Sequence, residues 1–259
     1  MGDYLTELFG VQGKVAALTG AGGYLVSEMS AAFAKAGVKV ALLDVDLATA
    51  EKVAAKVRGE GGEAIALEMD VTVKADFERA LNEILRRYGD VDILINGAGI
   101  NAPTPFLDIT VDEWDRILGV HLTGTMLGCQ VFGAYMIKQR KGVILNVSSA
   151  SAGPPLSKAF TYSVGKAGLK NLTQNLAREW ATSGVRVNAL RPGFFPTEWS
   201  KKNFLTPDRV QAILNHTPMR RFGEPRELIG AVLWLCSEAA SFVTGAEITV
   251  DGGFSAMTI

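Results

Sequence analysis

Lys14-Val-Ala-Ala-Leu-Thr19, Gly20-Ala-Gly-Gly23 and the run from Tyr24 to Gly37 form the stretch that decides the fold. The first six residues are short, apolar and β-prone, as a buried strand requires. The glycines break the chain. Apolar residues at helical spacing then run to Ala36, and Gly37 ends them. A second apolar run, 38–43, closes on Asp44. A strand, a glycine turn, a helix and another strand make one parallel crossover.

The pattern repeats outward. Helical spacing covers 47–58 and ends in the glycines at 59–62. A third strand, 63–69, leads into Asp70-Val71-Thr72, and a helix covers 73–88. A fourth strand, 91–95, leads into Asn96-Gly97-Ala98-Gly99. One long helix is expected over 111–139, a fifth strand over 142–148, a helix over 157–183 and a sixth strand over 185–190. The segment 194–222 carries Pro196, Pro207 and Pro218 and reads as irregular, with room for a short helix. A helix at 224–237 and a strand at 247–250 close the chain before Asp251-Gly-Gly253. Strands buried on both faces and alternating with helices predict an α/β fold: one doubly wound, Rossmann-type parallel sheet of about seven strands with helices on both faces. No linker or repeat interrupts it, so 1–259 is expected to be a single domain, with 194–222 as a lid-like segment.

Ligands of such sheets bind beyond the carboxyl ends of the strands. Gly20, Asp44, Asp70, Asn96, Ser149 and Pro192 all fall just past strand ends. Tyr162 and Lys166 are four apart on a predicted helix and share a face. A free tyrosine has a pKa of about 10, too high for a base near neutrality. A lysine ammonium beside it favours the phenolate, and moving that value to near 7 needs roughly 4 kcal/mol. The Ser149 hydroxyl can bond the reacting oxygen. Gly20, Gly22 and Gly23 suit a turn that brings backbone N–H groups to a pyrophosphate. Asp44 can accept from both ribose hydroxyls and would repel a 2′-phosphate. No basic residue lies within 20–26 to reverse that preference, so NAD is expected rather than NADP. Asp70 can accept from an adenine amino group or cap the helix that follows.

The composition excludes other classes. With 48% hydrophobic residues and a formal net charge of -1, nothing suggests nucleic acid or an anionic membrane as partner, and no apolar run is expected to span a bilayer. Cys129 and Cys236 read as buried free thiols in a reducing, cytoplasmic compartment. His121 and His216 make no metal-ligand pattern with them.

Taken together, Thr19-Gly20, Asp44, Asp70-Val71, Asn96 to Gly99, Ser149, Tyr162-x-x-x-Lys166, Arg186-Val-Asn188, Pro192-Gly193 with Thr197, and Asp251-Gly-Gly253 resemble the short-chain dehydrogenase/reductase family over nearly the whole chain. The resemblance implies hydride transfer between nicotinamide and a carbonyl or alcohol. It implies Tyr162 as general acid/base, Ser149 as hydrogen-bond partner of the substrate oxygen, and Lys166 as holder of the nicotinamide ribose. The glycine turn through Tyr24 and Leu25 would lie at the pyrophosphate, with Asp70, Val71, Asn96, Gly97 and Ala98 on the adenosine side. Pro192, Gly193, Phe195 and Thr197 would hold the carboxamide end. A homotetramer is implied, built on the two long helices, where Gly124 and Gly128 would allow close approach.

Two departures stand out. The family's TGxxxGxG motif has Tyr24 and Val26 where its later glycines belong. His121 stands where the family commonly places an asparagine that holds a relay water, and an imidazole can hold that water or relay a proton itself. Within the family, the glycine turn, 216–225 and 251–255 look most like sugar-acid reductases of the D-mannonate oxidoreductase type. Polyol and gluconate-type dehydrogenases and 3-oxoacyl-thioester reductases are the alternatives. Lys201, Lys202, Arg209, His216, Arg220 and Arg221 in the lid would suit a carboxylate, or serve as solvated surface. A non-catalytic NAD(H) sensor or scaffold is the competing class.

Overall fold

The computed structural model describes residues 2–154 and 156–257. Seven parallel strands form one sheet: β1 Val15–Thr19, β2 Lys39–Asp44, β3 Ala64–Glu68, β4 Ile93–Asn96, β5 Gly142–Val147, β6 Val185–Pro192 and β7 Glu247–Val250. Their order is β3-β2-β1-β4-β5-β6-β7. The winding reverses between β1 and β4, and a crevice opens there beyond the carboxyl ends. Register aligns those ends, with Thr19 paired to Asn96 and Asn96 to Asn146.

All five β1 residues are buried, because successive side chains point to opposite, covered faces. Ala16 and Leu18 join Met29 and Phe33 of α2 (Tyr24–Lys35), Ala54 of α3 (Leu47–Gly59) and Leu235 of α10 (Arg226–Cys236). Val15 and Ala17 join Phe77 of α4 (Lys74–Tyr88), Phe132 of α6 (Gly124–Gln139) and Ala177 of α7 (Phe160–Trp180) on the other face.

The structure departs from expectation in four places. A helix α1, Gly2–Phe9, precedes β1; its apolar residues Tyr4, Leu5, Leu8 and Phe9 stand at helical spacing, but the run is short and Tyr4, Leu5 and Phe9 are exposed. The long helix over 111–139 is interrupted. α5 (Val111–Leu118) passes through a π-helical turn, Gly119–Thr123, before α6 begins. That same stretch, Val111–Gln139, is long and apolar enough to cross a membrane by composition, with mean hydropathy 1.3, contrary to expectation. Half of it is buried within this fold, and it forms part of the helical layer beneath the sheet. Finally, the lid segment holds two short helices, α8 (Glu198–Asn203) and α9 (Pro207–Asn215). Thr206 accepts from Arg209 N at the start of α9 and Pro207 follows it, a favourable start for a helix.

Candidate active site

The β1–α2 turn is the candidate nucleotide cradle. Gly20 has φ +69°, and a Cβ there would lie 2.7 Å from the Ala98 Cα. Glycine is therefore required twice, for conformation and for space. The Thr19 hydroxyl accepts from Gly97 N (3.0 Å) and Ala98 N (3.3 Å), clamping the two turns at the crevice. Asp44 Oδ2 accepts from Gly22 N (2.9 Å) and Oδ1 from Asp46 N (3.0 Å). Asp46, not Asp44, caps α3. Asp44 thus presents a fixed carboxylate at the strand end. Asp70 Oδ1 accepts from the backbone N–H and hydroxyl of Thr72, closing its own turn beside Val71. Gly23, Tyr24 and Leu25 open α2, Tyr24 being exposed.

Val26 explains how the altered glycine turn packs. It is buried, and its Cγ2 lies 2.5 Å from where a Cβ on Gly97 would stand. A larger residue on α2 is matched by the absence of one after β4. Gly97→Ala is expected to destabilise the protein by about 1–3 kcal/mol through overpacking, and Val26→Ala in the same chain to restore most of it. Thermal unfolding of the single and double variants checks this; equal Tm losses in both would refute the match.

Several of the expected residues are also held by contacts within the fold. The Asn96 side chain does not line the crevice. It is buried, and its Nδ2 donates to Asn146 Oδ1 (2.9 Å), whose Nδ2 in turn donates to Thr173 Oγ1 (2.9 Å). This chain ties β4, β5 and α7 together. Gly128 makes room for Asn96 Oδ1 and Phe77, and Gly124 for Val71, so both serve contacts within the chain rather than a helix–helix interface. Pro192 ends β6, and a Cβ on Gly193 would meet Asp251. Phe195 packs against Gly223. The Thr197 hydroxyl accepts from Ser200 N (3.0 Å) as the cap of α8. In the lid, Arg221 forms a bidentate pair with Glu227, Lys201 pairs with Glu198, and Arg209 Nη2 donates to Ser157 O, so much of the expected surplus charge is already engaged.

Ser149, Tyr162 and Lys166, the candidate catalytic residues, meet at the ends of β5 and α7. The Ser149 hydroxyl accepts from Ser151 N (3.2 Å) and Ser151 Oγ (3.1 Å) and is hydrogen-bonded to Tyr162. A hydroxyl has two acceptor lone pairs and one proton. With Ser151 on both lone pairs, the Ser149 proton is left for another acceptor. Ser151 was not picked out in the sequence, where a serine after Ser149 carries no signal of its own. Lys166 is buried. Its Nζ donates to Val147 O (2.5 Å) and lies 5.6 Å from the Tyr162 ring centroid.

The direction at the tyrosine is opposite to the expected one. Burial pushes the Tyr162 phenol up, with only the Ser149 bond pulling it down. Burial also pulls Lys166 down to about 7. In a dry pocket both charged forms are penalised, so the ammonium does not by itself overcome the desolvation of the phenolate.

His121 occupies the π turn and is 1% exposed. A Cβ on Gly99 would stand 2.6 Å from its Cε1, and one on Gly165 3.1 Å from its Cβ. The two glycines make its slot, and the ring meets that of Tyr162 edge-on at 5.0 Å. Nε2 lies 2.7 Å from Ile100 O, and Nδ1 is buried without a partner. Burial, then the Lys166 charge, pull the imidazole down to about 3. His121 is therefore neutral near pH 7. Donating from Nε2 to Ile100 O, the neutral ring offers Nδ1 as an acceptor and holds no second proton to pass on.

A protein-family model described as enoyl-(acyl carrier protein) reductase matches residues 26–255. The oxidoreductase UxuB of Bacillus subtilis (strain 168), itself uncharacterized, is 38% identical, covering 94% of this chain and 95% of its own. A structure described as a "putative D-Mannonate oxidoreductase" from Haemophilus influenza, with bound NAD, superposes with TM-score 0.89 at 34% identity, covering 96% of this chain and 97% of that one. A gluconate 5-dehydrogenase from Burkholderia cenocepacia J2315, in complex with NADP and tartrate, gives TM-score 0.93 at 30% identity over 97% and 99%. The chain belongs to the short-chain dehydrogenase/reductase family. It is an oxidoreductase acting on alcohol groups, and its family binds NAD or NADP.

Proposed function

We propose that this chain moves hydride between NAD(H) and the carbonyl or secondary alcohol of a small sugar acid, of the D-mannonate/fructuronate kind. The meeting of Ser149, Tyr162 and Lys166 beyond the sheet carries this reading. Gly20, Gly22 and Gly23 fit a pyrophosphate, since a Cβ on Gly20 would fill the cradle; Tyr24 and Leu25 flank it. Asp44 fits a ribose diol, Asp70, Val71 and the backbone of Asn96, Gly97 and Ala98 the adenosine, and Lys166 the second ribose. Pro192, Gly193, Phe195 and Thr197 lie toward the carboxamide. When bound, the dinucleotide supplies or accepts the hydride. Tyr162 gives its proton to the substrate oxygen during reduction and takes one back during oxidation. Ser149 hydrogen-bonds that oxygen, and 194–222 covers the substrate.

NADH oxidation against a panel of keto-aldonates, ketoses, diketones and 3-oxoacyl thioesters tests the reading. Turnover confined to keto-aldonates is expected. Thioester turnover would assign a 3-oxoacyl reductase. NADH binding with no turnover, unchanged by Tyr162→Phe, would assign a sensor.

His121 acts by accepting a hydrogen bond at Nδ1 from a water beside Lys166. His121→Ala is expected to lower kcat at least about tenfold with the NADH Kd little changed. The neutral ring also predicts no His121 limb in the pH–kcat profile between about pH 6 and 8. Unaltered kcat would remove His121 from the mechanism.

We read the assembly as a homotetramer built on α5–α6 and α7, which expose Val111, Met126, Phe160 and Val164. The whole chain acts as one catalytic domain, supported by its continuous sheet. The compartment is read as cytoplasmic, in keeping with the free, buried Cys129 and Cys236.

A further inference from the structure

Arg191 and Glu247 have no part in the scheme above, yet they sit directly behind Ser149. Their side chains are 11% and 9% exposed, and they pair at 3.4 Å. Each also reaches one neighbour of Ser149. Glu247 Oε1 accepts from the Ser148 hydroxyl (2.8 Å), and Arg191 Nη2 donates to Ala150 O (3.0 Å). The guanidinium fills space left by Gly153, where a Cβ would lie 1.9 Å from Nη2. Ser148 N donates to Leu190 O (2.7 Å), which ties the same loop to β6.

We propose that the Arg191–Glu247 pair is a brace that sets the orientation of the Ser149 hydroxyl, making both residues positioning residues for the reaction. The inference rests on the catalytic reading of Ser149. Ser149 itself is held by its own turn, through Ser151. Its bearing on Tyr162 is therefore inherited from the backbone on either side, at Ser148 and Ala150. Both of those points are fixed by one ion pair anchored on β6 and β7. Stability alone does not call for a charged pair here. Burying two ions costs several kcal/mol each, and an apolar pair is often as stable. Arg191 Nε is also buried without a partner, a further cost. What charge adds is direction: a planar guanidinium fixes two acceptors at set angles.

The test is a set of variants assayed for kcat by single turnover, NADH Kd by fluorescence, and Tm. Glu247→Gln keeps the shape and removes the charge. Ser148→Ala removes only the tie to Glu247 and leaves both charges paired, so it remains informative if the first variant unfolds. Glu247→Gln is expected to lower kcat about tenfold and Ser148→Ala about threefold, as misplacement of a reacting group does, with Kd within about twofold. In a Ser149→Ala background both effects should shrink below about twofold, since the brace acts through a hydroxyl no longer present. A purely structural pair would lower Tm and leave kcat, or lower kcat equally in both backgrounds; either result overturns the brace. If Ser149→Ala alone keeps full kcat, the catalytic reading of Ser149 fails, and the brace with it. If Ser149→Ala loses activity and the other two variants do not, only the brace fails.

Discussion

Tyr162→Phe is expected to lower kcat by about a thousandfold, within the range that a positioned acid or base contributes, while NADH Kd stays within about threefold. The variant removes one oxygen and keeps the ring against His121, where the centroids are 5.0 Å apart. Packing is therefore retained and only the proton carrier is lost. Burial holds the phenol above its ordinary value, so it is protonated near neutrality and ready to act as the acid in reduction. In the oxidation direction the phenolate is the base. The wild-type oxidation rate should then rise with pH as the phenol ionises, and the residual rate of the variant should lack that rise. Initial rates in both directions across pH check the prediction. A residual kcat above about a tenth of wild type would sink the assignment of Tyr162 and with it most of the proposed mechanism.

Replacing Asp44 with alanine and Val45 with arginine is expected to move the preference between NADH and NADPH by about a hundredfold or more. Hydrogen bonds to a charged acceptor contribute about 1.5–3 kcal/mol each, and two to a ribose diol account for that change. The same carboxylate repels a 2′-phosphate, whereas an arginine fork binds one. Asp44 is held in place by Gly22 N and Asp46 N, so its charge cannot swing away. kcat/KM for both dinucleotides in the parent and variant is the measurement. A parent that already prefers NADPH would overturn the NAD assignment. This matters because related structures hold either dinucleotide.

The readable parts of this chain were those encoded locally. The apolar runs at 15–19 and 39–44, the glycine punctuation after them and the Tyr162–Lys166 spacing each depend on a few consecutive residues. Helical geometry alone places residues four apart on one face. The state of charge was not readable. Whether Lys166 lowers the Tyr162 pKa depends on how dry the pocket is, and burial is a property of every element around it. The break in the long helix escaped for a similar reason. His121 needs a slot made by Gly99 and Gly165, two residues remote in sequence from it. Asn96 was assigned to the nucleotide from its place in a glycine-rich turn, but its partners Asn146 and, beyond it, Thr173 are brought together only by the sheet and α7.

Sequence alone determined the parallel α/β architecture, because strand and helix periods are written in neighbouring side chains and right-handed crossovers leave few alternatives. It also placed Asp44, Asp70 and Ser149 at or just past strand ends, since those positions follow from strand length. Tertiary structure alone decided how they are held: Val26 against Gly97, and Glu247 reaching back from the last strand to Ser148. Those contacts join segments separated by tens of residues, and no local pattern of propensity or spacing specifies which distant side chain will arrive.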